Sequence, residues 1–310
     1  MNRSSEGCAV TSARLKANGM LLITAIIWGG AFVAQRAGMQ SLGPFTFNGL
    51  RFALGTITLL PIFLWRRGRH QKDDVDFQRT VLIGGAAGLL LFVGATFQQL
   101  GLVYTTAGRA GFVTGLYVII VPLLGMSWGD RAPLQSWAGA VLAVVGLYFL
   151  SVKEQGTMAL GDAFVLVGAF FWAGHVQFIA HFSSLVRPMR LSCVQSLVTA
   201  LLSFLVGIVW EDTTWRMVVD AAGPILYGGV ISIGFAYTLQ IIAQQDARPT
   251  HAAIILSLES VFAALWGWLF LGEVLSIRGG FGAGLMLSGM ILAQVQFARQ
   301  REEREWELHP

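Results

Sequence analysis

Ten apolar stretches of about 20 residues, the length that crosses a bilayer core as a helix, follow one another along this chain. Short polar connections separate them. Backbone groups in hydrocarbon must bond within their own segment, so apolar runs this long form helices. The pattern predicts an all-α integral membrane protein with ten transmembrane helices. The predicted spans are 18–38, 45–65, 81–102, 110–128, 135–152, 163–181, 191–210, 222–243, 251–271 and 280–297.

The charge content agrees with membrane insertion. Only 12% of the 310 residues are charged, against roughly 25% in soluble domains. The spans and the two predicted tails, 1–17 and 299–310, leave no room for a separate soluble domain. The basic residues lie in loops and tails, as membrane topology requires, so the expected partner is a lipid bilayer and not nucleic acid. With two cysteines, we expect no disulfide framework and no cysteine-based metal site, and we predict no cofactor.

The distribution of Lys and Arg predicts the orientation. With the N-terminus in the cytoplasm, 15 of the 21 basic residues lie on the inner side and five on the outer side. The remaining one, Arg51, lies inside the second span. Cytoplasmic loops carry an excess of basic residues, so this bias predicts that both termini are cytoplasmic and that the number of spans is even.

The chain also repeats itself at a nearly constant offset of 143 or 144 residues. The matching positions are Trp28 with Trp172, Pro44 with Pro188, Gly129-Asp130 with Gly272-Glu273, and Gly139-Ala140 and Gly146 with Gly282-Ala283 and Gly289. The predicted repeats are 18–152 and 153–298. Five spans per repeat is an odd number, so the second repeat must cross the membrane in the opposite direction. Inverted repeats are typical of secondary transporters that alternate access to a central site.

Several sequence runs resemble the drug/metabolite transporter superfamily, and within it the EamA-type ten-helix members. These runs are WGGAF from Trp28, AGRAGFVTGLYVIIVPLLG around Pro122, HAAIILSLESVFAALWGWLFLGE ending at Glu273, and the glycine-bearing helix from Gly282 to Gly289. The resemblance extends over about residues 18 to 298. Ser260 is a departure, because this family usually has proline after the glutamate at that point.

The resemblance implies export of a small-molecule substrate, an amino acid or related metabolite, from the cytoplasm across the bacterial inner membrane. One family member exports aromatic amino acids. The resemblance leaves open whether the protein is a monomer or a homodimer.

Two helix faces are candidates for the wall of a substrate cavity. Trp28, Phe32 and Gln35 share a face of the first span, and Trp172, His175 and Ile179 share one on its repeat counterpart. Packing against other helices or lipid is the alternative for these side chains. The predicted substrate-binding residues are Trp28, Phe32, Phe97, Gln98, Thr114, Tyr117, Trp172, His175 and Tyr237.

Ionisable and amide side chains inside the spans are the other candidates. Glu259 is either a site of transport chemistry or a hydrogen-bonded lock between helices, because a carboxylate at this depth is costly to maintain. Arg51 either extends its side chain toward the interface or forms a structural pair, or it acts as a gate or contacts a substrate carboxylate. Gln99, Gln240 and Gln244 are candidate gate residues, with helix-to-helix hydrogen bonding as the alternative.

Two further patterns bear on packing and on function. The glycine pairs Gly84/Gly88, Gly111/Gly115 and Gly280/Gly284 predict close helix contacts. The chain has no P-loop motif for ATP hydrolysis, which favours transport driven by a gradient. The alternatives are an intramembrane enzyme, for which a paired acid set or metal cluster is lacking in the sequence, and a receptor or channel.

Overall fold

A computed structural model describes residues 3–65, 74–128, 134–151, 158–182, 185–246 and 255–308. Within these ranges the chain is folded into helices joined by short turns. The helices are α1 (Arg3–Gly38), α2 (Pro44–Trp65), α3 (Asp74–Tyr104), α4 (Ala107–Gly115), α5 (Tyr117–Gly125), α6 (Leu134–Ser151), α7 (Leu160–Phe182), α8 (Pro188–Trp210), α9 (Trp215–Asp220), α10 (Ala222–Leu226), a π-helical segment (Tyr227–Ala236), α11 (Tyr237–Asp246), α12 (Glu259–Leu271) and α13 (Ile277–Leu308).

Seven helical stretches of the described chain are long and apolar enough to cross a membrane. They are Leu15–Gly38, Phe77–Tyr104, Ala107–Gly125, Leu134–Ser151, Leu160–Ile179, Met189–Trp210 and Ala222–Gln240. Two shorter apolar helices are Ile255–Leu271 and Ile277–Leu292. Helix α2 does not belong to either group, and it carries the polar residues Asn48 and Arg51. The prediction of an all-helical membrane protein is therefore confirmed, and the count of ten spans stays a prediction.

The bundle presents apolar side chains outward and encloses polar ones. Ile208, Trp210 and Ile277 are 82%, 79% and 96% exposed, whereas Asn48 and Thr199 are completely buried. A soluble protein has the opposite distribution, since large exposed apolar surfaces are costly in water. Lipid around the bundle and polar contacts within it explain this arrangement.

The helices pack in a pattern that surrounds a central space. Helix α3 lies against α7 and α8, α2 lies against α8 and the π-helical segment, and α1 packs on α12 and α11. Helix α12 also contacts α4, and α6 pairs closely with α13. The largest apolar cluster of the described residues joins α4 to α3, α7, α12 and α13, and it includes Val113, Leu116 and Met286.

Close helix contacts occur at two of the three predicted glycine pairs. Gly84 and Gly88 face Val194 and Val198 of α8, and Gly111 and Gly115 face Ala263 and Ser260 of α12. The prediction for Gly280 and Gly284 was wrong, because a Cβ at either position would meet no atom within 4 Å. The contact of α13 with α6 is made instead by Gly282 and Gly289, which lie on another face of the same helix.

Three of the predicted spans depart from regular α-helix along their length. Leu116 separates α4 from α5. The span that begins at Ala222 contains the π-helical segment, in which each N–H bonds a carbonyl five residues earlier instead of four. A turn at Leu258 precedes α12, so this break forms without the family's usual proline. Ser260 instead donates its hydroxyl to the Gly111 carbonyl, 3.0 Å away.

Helices α1, α3 and α8 end, and α2, α4 and α7 begin, at one end of the bundle, which we call the Arg36 end. Arg36 donates from Nη1 to the Leu102 and Val103 carbonyls, at 2.7 and 3.0 Å, in the last turn of α3. The Asp162 carboxylate, in the first turn of α7, forms an ion pair with Arg109 of α4. Helix α7 therefore begins at the end where α1 finishes, so the two helices run in opposite directions. The charge bias predicts that this is the outer end.

Two glutamates from other helices cap helix N-termini at the Arg36 end. Glu211, which follows α8, accepts the N–H groups of Phe45 and Thr46 in the first turn of α2, at 2.9 and 2.8 Å. Glu273, which follows α12, accepts the first two N–H groups of α4, at 2.9 and 3.2 Å. The first N–H groups of a helix have no partner within the helix and carry its positive dipole end, so a carboxylate there is favourable.

Candidate functional site

A cavity of about 600 Å³ lies at the centre of the bundle. Both halves of the chain contribute side chains to its wall. The lining comprises Trp28, Ala31, Phe32, Gln35, Arg51, Phe52, Gln98, Thr114, Tyr117, Trp172, His175, Val176, Ile179, Leu191, Ser192, Gln195, Ser232, Ile233, Tyr237, Gln240 and Glu259. The volume falls within the range of about 300 to 1,000 Å³ that is typical of small-molecule pockets.

Aromatic rings from both halves form much of the wall. Trp28 of α1 lies 5.3 Å from the Tyr237 ring, centre to centre, and donates its indole N–H to the Ser232 carbonyl at 3.3 Å. Trp172 of α7 meets the His175 ring edge-on at 6.1 Å. Both indole N–H groups donate to protein acceptors, so the faces of the two tryptophan rings offer an apolar surface to a ligand.

A chain of hydrogen bonds joins three helices beside the cavity. The Trp172 indole N–H donates to Gln98 Oε1 at 2.9 Å, and Gln98 Nε2 donates to Gln35 Oε1 at 3.1 Å. Gln35 in turn donates to the Ala31 carbonyl at 3.0 Å. This chain fixes the orientation of the Trp172 ring relative to α1 and α3.

Arg51 is a buried cation on the cavity wall. Its side chain is 5% exposed, and Nε donates to Asn48 Oδ1 at 2.9 Å. The guanidinium carbon lies 4.8 Å from the centre of the Phe52 ring, a favourable cation–π distance. Within the described residues no carboxylate forms an ion pair with it.

Glu259 is a buried carboxylic acid on the opposite half of the chain. It is the first residue of α12, directly after the turn at Leu258, and it is 5% exposed. Its carboxyl group has no hydrogen-bond partner among the described residues. Tyr117 and Tyr237 lie within electrostatic range of it. A lock between helices would need such a partner, so the described contacts do not support that role.

His175 and Thr114 supply further polar groups to the wall. His175 Nε2 lies 3.0 Å from Gln195 Oε1, which joins α7 to α8. The Thr114 hydroxyl is buried and has no partner in the described part of the chain. Among the described residues, no group of three His, Cys, Asp or Glu side chains could hold a metal ion.

The structure brings most of the predicted site residues to the cavity. They are Trp28, Phe32, Gln98, Thr114, Tyr117, Trp172, His175 and Tyr237, together with Arg51, Glu259 and Gln240. Their role in binding stays a prediction, since no ligand is bound.

Two predicted site residues lie elsewhere, and a third cannot be placed. Phe97 packs outside the cavity lining, where its ring stacks on Phe171 at 6.2 Å, because it points about 100° away from Gln98 on α3. Gln99 is fully buried outside the lining and donates to the Gln35 carbonyl at 3.2 Å. Gln244 has a side chain outside the described part of the structure.

The sequence reasoning missed the contribution of α8. Leu191, Ser192 and Gln195 line the cavity from this helix. A signal was present, because five polar residues of α8 follow a helical spacing that places them near one face, and all five are buried. These residues are Ser192, Gln195, Ser196, Thr199 and Ser203.

Comparison with known proteins shows similarity in sequence and similarity in fold. Residues 15–152 and 159–294 each match the EamA-like transporter family. The chain is 32% identical to an uncharacterized transporter of Archaeoglobus fulgidus, over 94% of this chain and 90% of that one. It is 24% identical to the threonine/homoserine exporter RhtA of Escherichia coli K12, over 94% and 95% of the two chains. A crystal structure with 20% sequence identity matches the fold with a TM-score of 0.64, covering 92% of this chain and 98% of that one.

Proposed function

Because the chain belongs to the EamA-like transporter family, we propose that it is a secondary transporter that exports small metabolites, and amino acids in particular, by alternating access. The observation that carries this proposal is the central cavity of about 600 Å³, which is built from both halves of the chain. A site between two halves can be exposed to one side of the membrane and then to the other when the halves move relative to each other.

The arrangement of the helices supports alternating access. Helices α1 and α7, which begin the two family matches, run in opposite directions. Contacts between helices hold the Arg36 end together. They are the Arg36 hydrogen bonds, the two glutamate caps and the Arg109–Asp162 ion pair. The cavity lining extends in the other direction as far as Ile179 and Leu191, about one turn from the adjoining ends of α7 and α8. This geometry suits a state that receives substrate from the end opposite Arg36.

The lining supports an amino acid with an apolar or aromatic side chain. Small-molecule sites combine apolar walls with a few placed polar groups. Trp28, Phe32 and Trp172 supply the apolar surface, and Gln98 and Gln195 add amide groups. The RhtA relative is a threonine/homoserine exporter, which supports amino acids as the substrate class.

The proposed location is the inner membrane of a bacterium. The exposed apolar surface of the bundle requires a bilayer, and the relatives named above come from a bacterium and an archaeon. The proposed energy source is a solute or ion gradient, since the sequence has no P-loop.

Flux in proteoliposomes tests the proposed function. We expect purified protein to release preloaded radiolabelled phenylalanine, threonine or homoserine faster than empty liposomes do, with saturation as substrate is raised. Trp172→Ala and Tyr117→Ala should change the preference among these amino acids by about tenfold, which corresponds to the roughly 1 to 3 kcal/mol that a pocket contact contributes.

The control is Trp268→Ala, which removes a tryptophan that is 59% exposed on the outer face of α12. It should leave both flux and preference unchanged. Absence of saturable flux for any amino acid would overturn the proposed substrate class. Equal effects of Trp172→Ala and Trp268→Ala would show that the cavity is not the transport site.

A further inference from the structure

We propose that Arg51 and Glu259 recognise the two charges of the substrate, with Arg51 binding a carboxylate and Glu259 an ammonium group. The ligand of the cavity is then a zwitterionic amino acid. This inference rests on the proposed function and specifies which residues bind the carboxylate and ammonium groups of the amino acid.

Arg51 needs an anion that the described protein does not supply. A guanidinium group keeps its proton in proteins, so it cannot remove its charge when it is buried. Arg109 shows how this chain satisfies such a charge elsewhere, through an ion pair with Asp162. Among the described residues Arg51 bonds Asn48 and lies near the rings of Phe52 and Phe47, and its five N–H groups leave donors free for a planar acceptor. A carboxylate in the cavity matches this group in charge and geometry.

Glu259 offers the complementary group. Its carboxyl group lines the same cavity and makes no hydrogen bond within the described residues. Two other buried or partly buried acids, Asp162 and Glu273, are fully engaged by an arginine or by backbone N–H groups. An ammonium group would give Glu259 both a counterion and hydrogen-bond donors.

The two residues belong to different halves of the chain, so a ligand bound to both connects the two halves. Arg51 is on α2 of the first half, and Glu259 begins α12 of the second. Tyr237 lies within electrostatic range of both. A ligand with one charge offers a partner to only one of these residues, whereas a zwitterion carries a partner for each of them. The aromatic rings Trp28 and Trp172 then remain for its side chain.

Ligand analogues that lack one charge separate the two roles. The probe set consists of the amino acid that the purified wild-type protein binds most tightly, its decarboxylated amine and its deaminated acid. For phenylalanine these are phenethylamine and 3-phenylpropionate. Wild type should bind the amino acid at least about tenfold more tightly than either analogue, because each analogue lacks one charged group that can form a hydrogen bond with the protein. Binding is measured by calorimetry in detergent.

Variants should show a crossed pattern. Arg51→Gln should weaken binding of the amino acid by about tenfold or more and leave the amine unchanged. Glu259→Gln should weaken the amino acid and leave the acid analogue unchanged. The matched control is Arg278→Gln, which removes an arginine that packs 5.6 Å from the Tyr148 ring, outside the cavity. If Arg51→Gln does not fold, Arg51→Lys keeps the charge and should retain preference for the carboxylate.

Each contrary outcome has one meaning. If Arg51→Gln weakens all three probes equally, Arg51 supports the fold and does not read the carboxylate. If the acid analogue binds wild type as tightly as the amino acid, the role of Glu259 is wrong and that of Arg51 stands. If wild type binds and transports no amino acid, the proposed function itself fails, which differs from transport without the crossed pattern.

Discussion

Gln98 and Gln99 are neighbours on α3 whose side chains have different surroundings. Gln98 accepts from Trp172 and donates to Gln35, so it joins α7 to α1 at the cavity wall. Gln99 donates to the Gln35 carbonyl, and its own Oε1 has no partner among the described residues. Both were candidates for binding or gating. Gln98 thus bonds two cavity side chains, those of Trp172 and Gln35, whereas Gln99 bonds only the backbone of Gln35 within the described residues.

Leucine at these two positions should therefore have unequal effects. Gln98→Leu leaves the Trp172 N–H and Gln35 Oε1 without partners, and we expect it to lower the free energy of unfolding by about 1 to 2 kcal/mol. Gln99→Leu should cost less, about 0.5 kcal/mol, because the Gln35 carbonyl still accepts from the Met39 N–H at 3.2 Å. Reversible unfolding in mixed micelles measures both. Equal losses would contradict the assignment.

At the scale of helices, the contact between α6 and α13 is set by glycine. An added Cβ on Gly282 would lie 2.6 Å from the Gly146 carbonyl oxygen and 2.7 Å from the Leu150 nitrogen. These are backbone atoms, which cannot rotate aside as a side chain can. The two helices must therefore separate if this position carries a side chain.

Gly282→Ala and Gly280→Ala form a matched pair on one helix. We expect Gly282→Ala to destabilise the protein by about 1 to 3 kcal/mol, as overpacked interiors do. Gly280→Ala should be neutral or stabilising by up to about 1 kcal/mol, since alanine favours helix and no atom lies within 4 Å of the new Cβ. Thermal unfolding in detergent gives the comparison. Similar melting temperatures for the two variants would show that the helices are not in contact at Gly282.

The Glu273 cap connects α12 to α4 across the two halves. Glu273→Ala leaves the first two N–H groups of α4 without this acceptor, and we expect a loss of about 0.5 to 2 kcal/mol, the usual effect of removing a cap. Glu273→Gln keeps one acceptor oxygen and should lose less. Val274→Ala is the control, because the adjacent Val274 is 80% exposed. Thermal unfolding of the three variants tests this order. A stable Glu273→Ala variant would show that the cap contributes nothing to stability.

At the scale of the whole molecule, the orientation in the membrane stays a prediction from the 15 to 5 charge bias. Arg216 is exposed near the Arg36 end, and Lys16 is exposed near the start of the first span. In a background with both native cysteines replaced, an impermeant thiol reagent should label Arg216→Cys in intact cells. Lys16→Cys should react only after the membrane is opened. The reverse result would overturn the orientation.

The sequence predicted the helices and two cavity faces well, because both depend on local periodicity. Trp28 and Phe32 are four residues apart, so they must share a helix face, and both line the cavity. The rotation of each helix about its axis is not local. The rotation of α3 about its axis places Gln98 in the cavity lining and packs Phe97 against Phe171. Rotation depends on packing between distant helices, which one sequence does not reveal.

The π-helical segment between Tyr227 and Ala236 has a consequence for the cavity wall. An α-helix places each residue about 100° from the one before it, and a π-helix turns less per residue because its hydrogen bonds span five residues. If the backbone hydrogen bonds of this segment changed to the α pattern, the residues that follow it would therefore rotate about the helix axis. Tyr237 and Gln240, which line the cavity, lie directly after the segment. A change in the winding of one helix would turn both residues about the helix axis while every backbone amide in the bilayer kept a hydrogen bond.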